Sequence, residues 1–146
     1  MLEDIGPELR VLVVDDNPQN RELLSAFLEV AGCEVEEAAG GQAAIDRLIA
    51  GSEPVDVVVL DIMMPRVSGF QVLAALKHDP KARDIPVIIV TALNETSDVE
   101  RSMDAGAADF LSKPVIQDEL VARVCAQAAI RRAERDLAEV ETLTRA

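Results

Sequence analysis

Two stretches of this chain, VVVL at 57–60 and VIIV at 87–90, are apolar without interruption. A strand with one wet face alternates apolar and polar residues, so an unbroken β-branched run is covered on both faces, the mark of a parallel sheet between helical layers. The rest of the sequence fits that frame. VLVV (11–14), CEVEEA (33–38), VDVVVL (55–60), PVIIV (86–90) and ADFL (108–111) alternate with amphipathic segments, giving five β/α units. Leu23, Leu24, Phe27, Leu28 and Ala31 share one face of the first helical segment, with Pro18 near its start and Gly32 just past its end. Ile45, Leu48 and Ile49 do the same in the second, and Phe70, Leu73 and Leu76 in the third. The expected class is α/β, a doubly wound five-stranded parallel sheet with five helices, the last extended.

VVVL ends in Asp61, and an ionised carboxylate is costly in an apolar interior unless paired or solvated. Asp61 therefore belongs where the strand leaves the core. Ligands of open α/β sheets bind outside the carboxyl ends of the strands, and the residues just after the strands are Asp15 and Asp16, Asp61, Thr91 and Lys113. Each alone has an ordinary explanation as a turn residue or a cap. Together they set three carboxylates, a hydroxyl and an ammonium on one edge, where like charges cost stability unless a cation offsets them. Oxygen ligands without nitrogen or sulfur suit Mg²⁺. A carboxylate left ionised there can attack phosphorus, a transfer that needs positioning and charge neutralisation more than covalent help.

Composition removes other classes. The formal net charge is −13, from 27 acidic and 14 basic side chains, which repels a nucleic-acid backbone or an anionic membrane. Cys33 and Cys125 form no CxxC pair and read as small core hydrophobes. No segment has the roughly 18 apolar residues of a membrane span, and the acidic N-terminus has no signal-peptide core; the expected location is cytoplasmic. His78, the single histidine, reads as a surface residue, and Met63 and Met64 as loop packing.

VLVVDD, VVLDIMMP, VIIVTA and DFLSKP, in this order, resemble the signature segments of the response-regulator receiver domain of two-component signalling, over residues 9–125. The likeness extends to chemotaxis-type receivers and to receiver modules heading diguanylate cyclases. It implies a flavodoxin-like fold with Asp61 as phosphoacceptor, Asp16 as a direct Mg²⁺ ligand, Asp15 acting largely through water, and the Met63 carbonyl as a further ligand. It makes Thr91 the switch hydroxyl, Lys113 the counter-ion, Phe110 the aromatic that turns inward on activation, and Lys113–Pro114 a cis peptide. Implied partners are a histidine kinase or phosphotransfer protein and a downstream output domain or protein, reached through the fourth helix, fifth strand and fifth helix. Val115, where many members carry an aromatic, and PRVSGF depart from the common pattern without touching the reaction. Met63 and Leu93 stand where the family flanks the path of attacking water; both are apolar, which implies slow autodephosphorylation.

Residues 1–8 read as an N-terminal extension and 126–146 as a C-terminal helical extension. From Asp118 onward there is no Gly or Pro, so one helix of about 28 residues can run about 42 Å. Ala126, Ile130, Ala133, Leu137 and Val140 alternate by four and three, the seam of a possible parallel coiled-coil homodimer. The helix stops in mid-heptad, which fits an N-terminal piece of a longer protein. Two other classes compete: a phosphorylation-independent interaction module, and a haloacid-dehalogenase-like phosphatase, which would need an Asp where Met63 stands and a cap domain. The expected role is a switch rather than an enzyme.

Overall fold

The computed structural model describes residues 9–51, 53–92 and 96–145, with residues 144 and 145 described by backbone alone. The extension 1–8 and Leu93 lie outside the described residues. The order is β1 (Arg10–Val14), α1 (Pro18–Val30), β2 (Glu34–Ala38), α2 (Gly41–Ala50), β3 (Val57–Leu60), α3 (Gly69–His78), β4 (Val87–Thr91), α4 (Thr96–Asp104), β5 (Asp109–Ser112) and α5 (Gln117–Arg145). All strand pairs are parallel, in the order β2-β1-β3-β4-β5. The order reverses between β1 and β3, which puts the crevice of a doubly wound sheet above their carboxyl ends.

The unbroken runs resolve into two interleaved faces, because successive side chains of a strand point to opposite sides. Leu12, Val14, Val58, Leu60, Val87 and Ile89 pack with Ala44 and Leu48 of α2 and Val72, Leu73 and Leu76 of α3. Val11, Val13, Val57, Val59, Ile88 and Val90 pack on the other side with Leu24 and Leu28 of α1 and Leu120, Val121 and Val124 of α5. Cys33 is buried in this second layer and Cys125 packs against it. Burial pushes the Cys33 thiol up to about 11, which keeps it a poor nucleophile.

Edge strand β2 carries charge instead of apolar bulk, a common protection against strand addition. Arg10 meets Glu34 at 2.9 Å, Arg47 meets Glu36 at 2.7 Å and Arg21 meets Glu37 at 2.9 Å. Leu23, expected on the buried face of α1, is 50% exposed. The helix seats itself through Leu24, Ser25 and Leu28, and Leu23, a step of about 100° from Leu24, lines a groove of about 410 Å³ with Asn20, Lys113, Pro114 and Val115.

Two caps fix the loops at the sheet's carboxyl edge. Asn17 accepts from the amides of Gln19 and Asn20 at 2.9 and 3.1 Å, with Pro18 opening α1. Ser68 and Gln71 form a reciprocal capping box at the start of α3. Such caps are typically worth about 1 kcal/mol each. Here they also decide where the loops after β1 and β3 end.

Candidate functional site at the carboxyl ends of the strands

The β1–β3 ladder runs one residue past β3, since the Asp61 amide donates to the Val14 carbonyl at 3.1 Å. That bond sets Asp61 beside Asp15 and Asp16. One carboxylate oxygen from each of the three lies within 4.8 Å of the others. Asp15 and Asp61 are buried and Asp16 is exposed, so the cluster opens to solvent on the Asp16 side.

Lys113, carried in from β5, donates to Asp61 Oδ2 at 2.8 Å and to Asp15 Oδ2 at 3.2 Å. Burial acts to lower the Lys113 pKa, but the hydrogen bonds and charges of Asp61 and Asp15 outweigh it and hold the ammonium above its ordinary value. The remaining acceptor atoms are met by backbone. Asn17 N–H donates to Asp15 Oδ1 at 2.9 Å, and Met63 N–H to Asp61 Oδ1 at 3.0 Å. Three carboxylates against one ammonium leave two negative charges, which a divalent cation matches, and the all-oxygen donor set suits Mg²⁺.

Thr91 is the last residue of β4 rather than the first after it. Lys113 N–H donates to the Thr91 carbonyl at 2.9 Å, extending the β4–β5 ladder past the point where the apolar run stops. Its hydroxyl is fully buried and has no hydrogen-bond partner among the described residues. A buried hydroxyl left unpaired costs about 1–3 kcal/mol. Phe110, level with Ile89 across the ladder, is half-buried and packs against the α2/α3 side of the core. The Lys113–Pro114 peptide is cis.

The loop from Ile62 to Ser68 is held by close approach at both ends. A β-carbon on Gly69 would lie 2.6 Å from the Asp61 carbonyl oxygen and from Ile62 Cα; one on Gly41, at the start of α2, would lie 2.6 Å from Val67 Cγ1. Arg66 turns the loop at φ 70°, the left-handed region. Met64 is buried, while Met63 is 60% exposed at the rim. The sequence reading did not single out Asn17, Ser68 or Gln71. The signals were present, as Asn before Pro18 and as the S-x-x-Q spacing of a capping box.

Comparison with known proteins matches residues 11–125 to the family model of the response regulator receiver domain. The chain is 40% identical over 126 residues to the DNA-binding dual master transcriptional regulator RpaA of a Synechocystis species, covering 86% of this chain and 51% of that protein. It is 43% identical over 115 residues to response regulator PleD of Caulobacter vibrioides, covering 79% of this chain and 25% of that one. It thus spans about half the length of the first and a quarter of the second. Among solved structures, the receiver domain of sensor histidine kinase PA1611 from Pseudomonas aeruginosa superposes with TM-score 0.77 at 26% identity, covering 84% of this chain and 98% of that one. That crystal structure holds a magnesium ion in its active-site cleft. Vibrio cholerae chemotaxis protein CheY4 superposes with TM-score 0.74 at 29% identity, covering 80% and 96%. With the family model spanning most of the chain, the protein belongs to the response-regulator receiver family of two-component signalling.

Proposed function

We propose that the chain is a phosphorylation-activated switch that takes a phosphoryl group onto Asp61 from the phosphohistidine of a histidine kinase or phosphotransfer protein. A carboxylate oxygen of Asp61 forms the new bond to phosphorus as the phosphorus–nitrogen bond of the donor breaks, and the imidazole nitrogen keeps the electron pair and takes a proton. The observation that carries this reading is the placement of Asp61: ionisable, nearly buried, and fixed through separate oxygens by Lys113 and by the Met63 amide, next to two further carboxylates. Asp16, Asp61 and the Met63 carbonyl would hold Mg²⁺, with Asp15 acting mainly through water. The ion supplies charge neutralisation and orients the phosphoryl oxygens.

Lys113 then serves as counter-ion to the acyl phosphate, and the Thr91 hydroxyl gains the acceptor it lacks. Phe110, at half-burial, follows Thr91 and carries the change to α4, β5 and α5, the face offered to a downstream output domain or protein. Asp15, Asp16, Asp61 and Lys113 are retained and converge, with Thr91 joined to Lys113 through its backbone carbonyl, which favours a working switch over a phosphorylation-independent module. Met63, where a dehalogenase-like phosphatase has its second Asp, disfavours that hydrolase. The domain plan consistent with this role is an extension at 1–8, the receiver at 9–125 and a helical extension at 126–146, working in the cytoplasm; among the described residues no helix is long and apolar enough to cross a membrane.

Acetyl phosphate with Mg²⁺ tests the site: intact-mass spectrometry should show a single phosphoryl adduct on the wild type and none on Asp61→Asn. Equal labelling of both would remove Asp61 as the acceptor.

A further inference from the structure

The far face of α5 has a pattern that phosphoryl chemistry does not use. A helix turns about 100° per residue, so the stripe that seats α5 on the sheet, Leu120, Val121, Val124 and Ala128, is centred roughly 180° from the stripe Ala126, Ile130, Ala133, Leu137 and Val140. The second stripe is open to solvent, with Ile130 50%, Leu137 59% and Val140 57% exposed. It begins on the folded domain and continues along the helix beyond it.

Charge is segregated around the stripe. At the positions flanking it stand Glu134 and Glu141 on one side and Asp136 on the other, all exposed. Arg131, Arg132 and Arg135 all lie at least about 120° from its centre. Self-pairing is poorly served by this arrangement. Two parallel copies set Asp136 against Glu141 of the partner subunit and stack alanine on alanine at 126 and 133. An antiparallel pair sets Glu134 against Glu134 of the partner subunit and Asp136 against Asp136 of the partner subunit. The net charge of −13 on each chain adds long-range repulsion. The spacing that suggested a homodimer is therefore better satisfied by a different chain, since large apolar side chains fill the shallow positions at the alanines and basic flanks meet the acids.

We propose that this face of α5 docks an amphipathic helix of another protein, with leucine-class residues along its seam and Lys or Arg on both flanks. The assay is fluorescence anisotropy of the full chain with two synthetic heptad peptides that share a leucine seam and differ only in Lys or Glu flanks. Light scattering at the same concentrations reports self-association. The Lys-flanked peptide should bind at least tenfold more tightly than the Glu-flanked one and weaken as salt rises. Leu137→Asp, beyond the domain core, should reduce that binding at least tenfold, and Glu134→Lys with Glu141→Lys should reverse the peptide preference. Equal binding of both peptides, binding of neither, or a wild-type dimer that Leu137→Asp dissociates would each overturn the proposal, the last by making a second copy the occupant. These readouts use no phosphoryl donor and are separable from the chemistry at Asp61.

Discussion

Gly69→Ala is a one-carbon perturbation aimed at the loop that carries Asp61. The glycine opens α3, and its amide donates to the Ile62 carbonyl at 2.9 Å, so the helix start and the loop are already in contact. A β-carbon there would sit 2.6 Å from Asp61 O and Ile62 Cα, and reaching the 3.4 Å of ordinary contact moves the backbone by about 0.8 Å. The obstacle is main chain rather than the end of a flexible side chain, so it cannot turn aside. Overpacking of this kind costs about 1–3 kcal/mol, which for a chain of this length lowers Tm by roughly 3–12 °C. One of these atoms belongs to Asp61, whose carboxylate must line up for attack in the proposed transfer, and an error near 1 Å can cost about 100-fold in rate. Thermal unfolding by circular dichroism reads the first effect, and the rate of labelling by acetyl phosphate reads the second. Gly40→Ala is the control, because a β-carbon there meets nothing within 4 Å and its backbone is extended at φ −174°. If Gly69→Ala unfolds within about 1 °C of wild type, less than the shift expected from 1 kcal/mol, and labels at the wild-type rate, the close-approach argument is wrong. Loss of stability with unchanged labelling would refute only the claim that Gly69 positions Asp61.

Three further outcomes follow from the same contacts. Mg²⁺ at a hundredfold excess over its Kd should stabilise the wild type by about 2.7 kcal/mol; chelation should remove the gain and Asp61→Asn most of it, whereas an equal gain in the variant would detach the metal from Asp61. The hydrogen bond from Arg47, reinforced by Arg10, holds Glu36 below its ordinary 4.5. Its stabilising contribution is therefore complete above pH 4.5 and lost as pH falls through the lower folded-state value, so urea midpoints measured from pH 5 down to pH 3 should fall more steeply for wild type than for Glu36→Gln. Met63 offers attacking water no hydrogen bond, so the Asp61 adduct should outlast that of Met63→Asn by several-fold in Mg²⁺ buffer, and equal lifetimes would place the control of hydrolysis elsewhere.

What could be read from the sequence were features whose cause is local. VVVL and VIIV announce burial on both faces, and Asp15, Asp16, Asp61 and Lys113 each mark a strand end by breaking an apolar run. Features that depend on distant partners could not be read. Nothing near Glu34, Glu36 or Glu37 in the chain indicates that arginines from β1, α1 and α2 will meet them and make an edge strand of an acidic segment. The 3.6-residue period of α1 admits both Leu23 and Leu24, and only the way the helix seats on the sheet leaves Leu24 buried and Leu23 half exposed along the groove. Thr91 looked like the residue after a strand because it is polar. The ladder holds it inside the strand because its carbonyl has a partner in the Lys113 amide.

That placement makes Thr91 the residue where stability and the proposed switching would oppose each other. Its hydroxyl is buried without a partner among the described residues, while Lys113 is committed to Asp61 and Asp15. A phosphoryl group on Asp61 brings strong acceptor oxygens to the same edge. Completing the missing hydrogen bond recovers part of about 1–3 kcal/mol, the same size as the coupling free energy typical of a two-state switch. In the proposed switch, this unmade hydrogen bond would be of the size needed to shift the population on modification. Thr91→Val separates the two roles, since valine keeps the shape and removes the orphaned group. The variant should unfold at a higher temperature than the resting wild type, by about 1 kcal/mol of added stability. It should still take a phosphoryl group at Asp61, but without the change in α4–β5–α5 amide-exchange protection that beryllofluoride, a phosphoryl mimic, induces in the wild type. A valine variant less stable than wild type would mean that the hydroxyl is satisfied in solution, and a normal exchange response would mean that the signal leaves the pocket without Thr91.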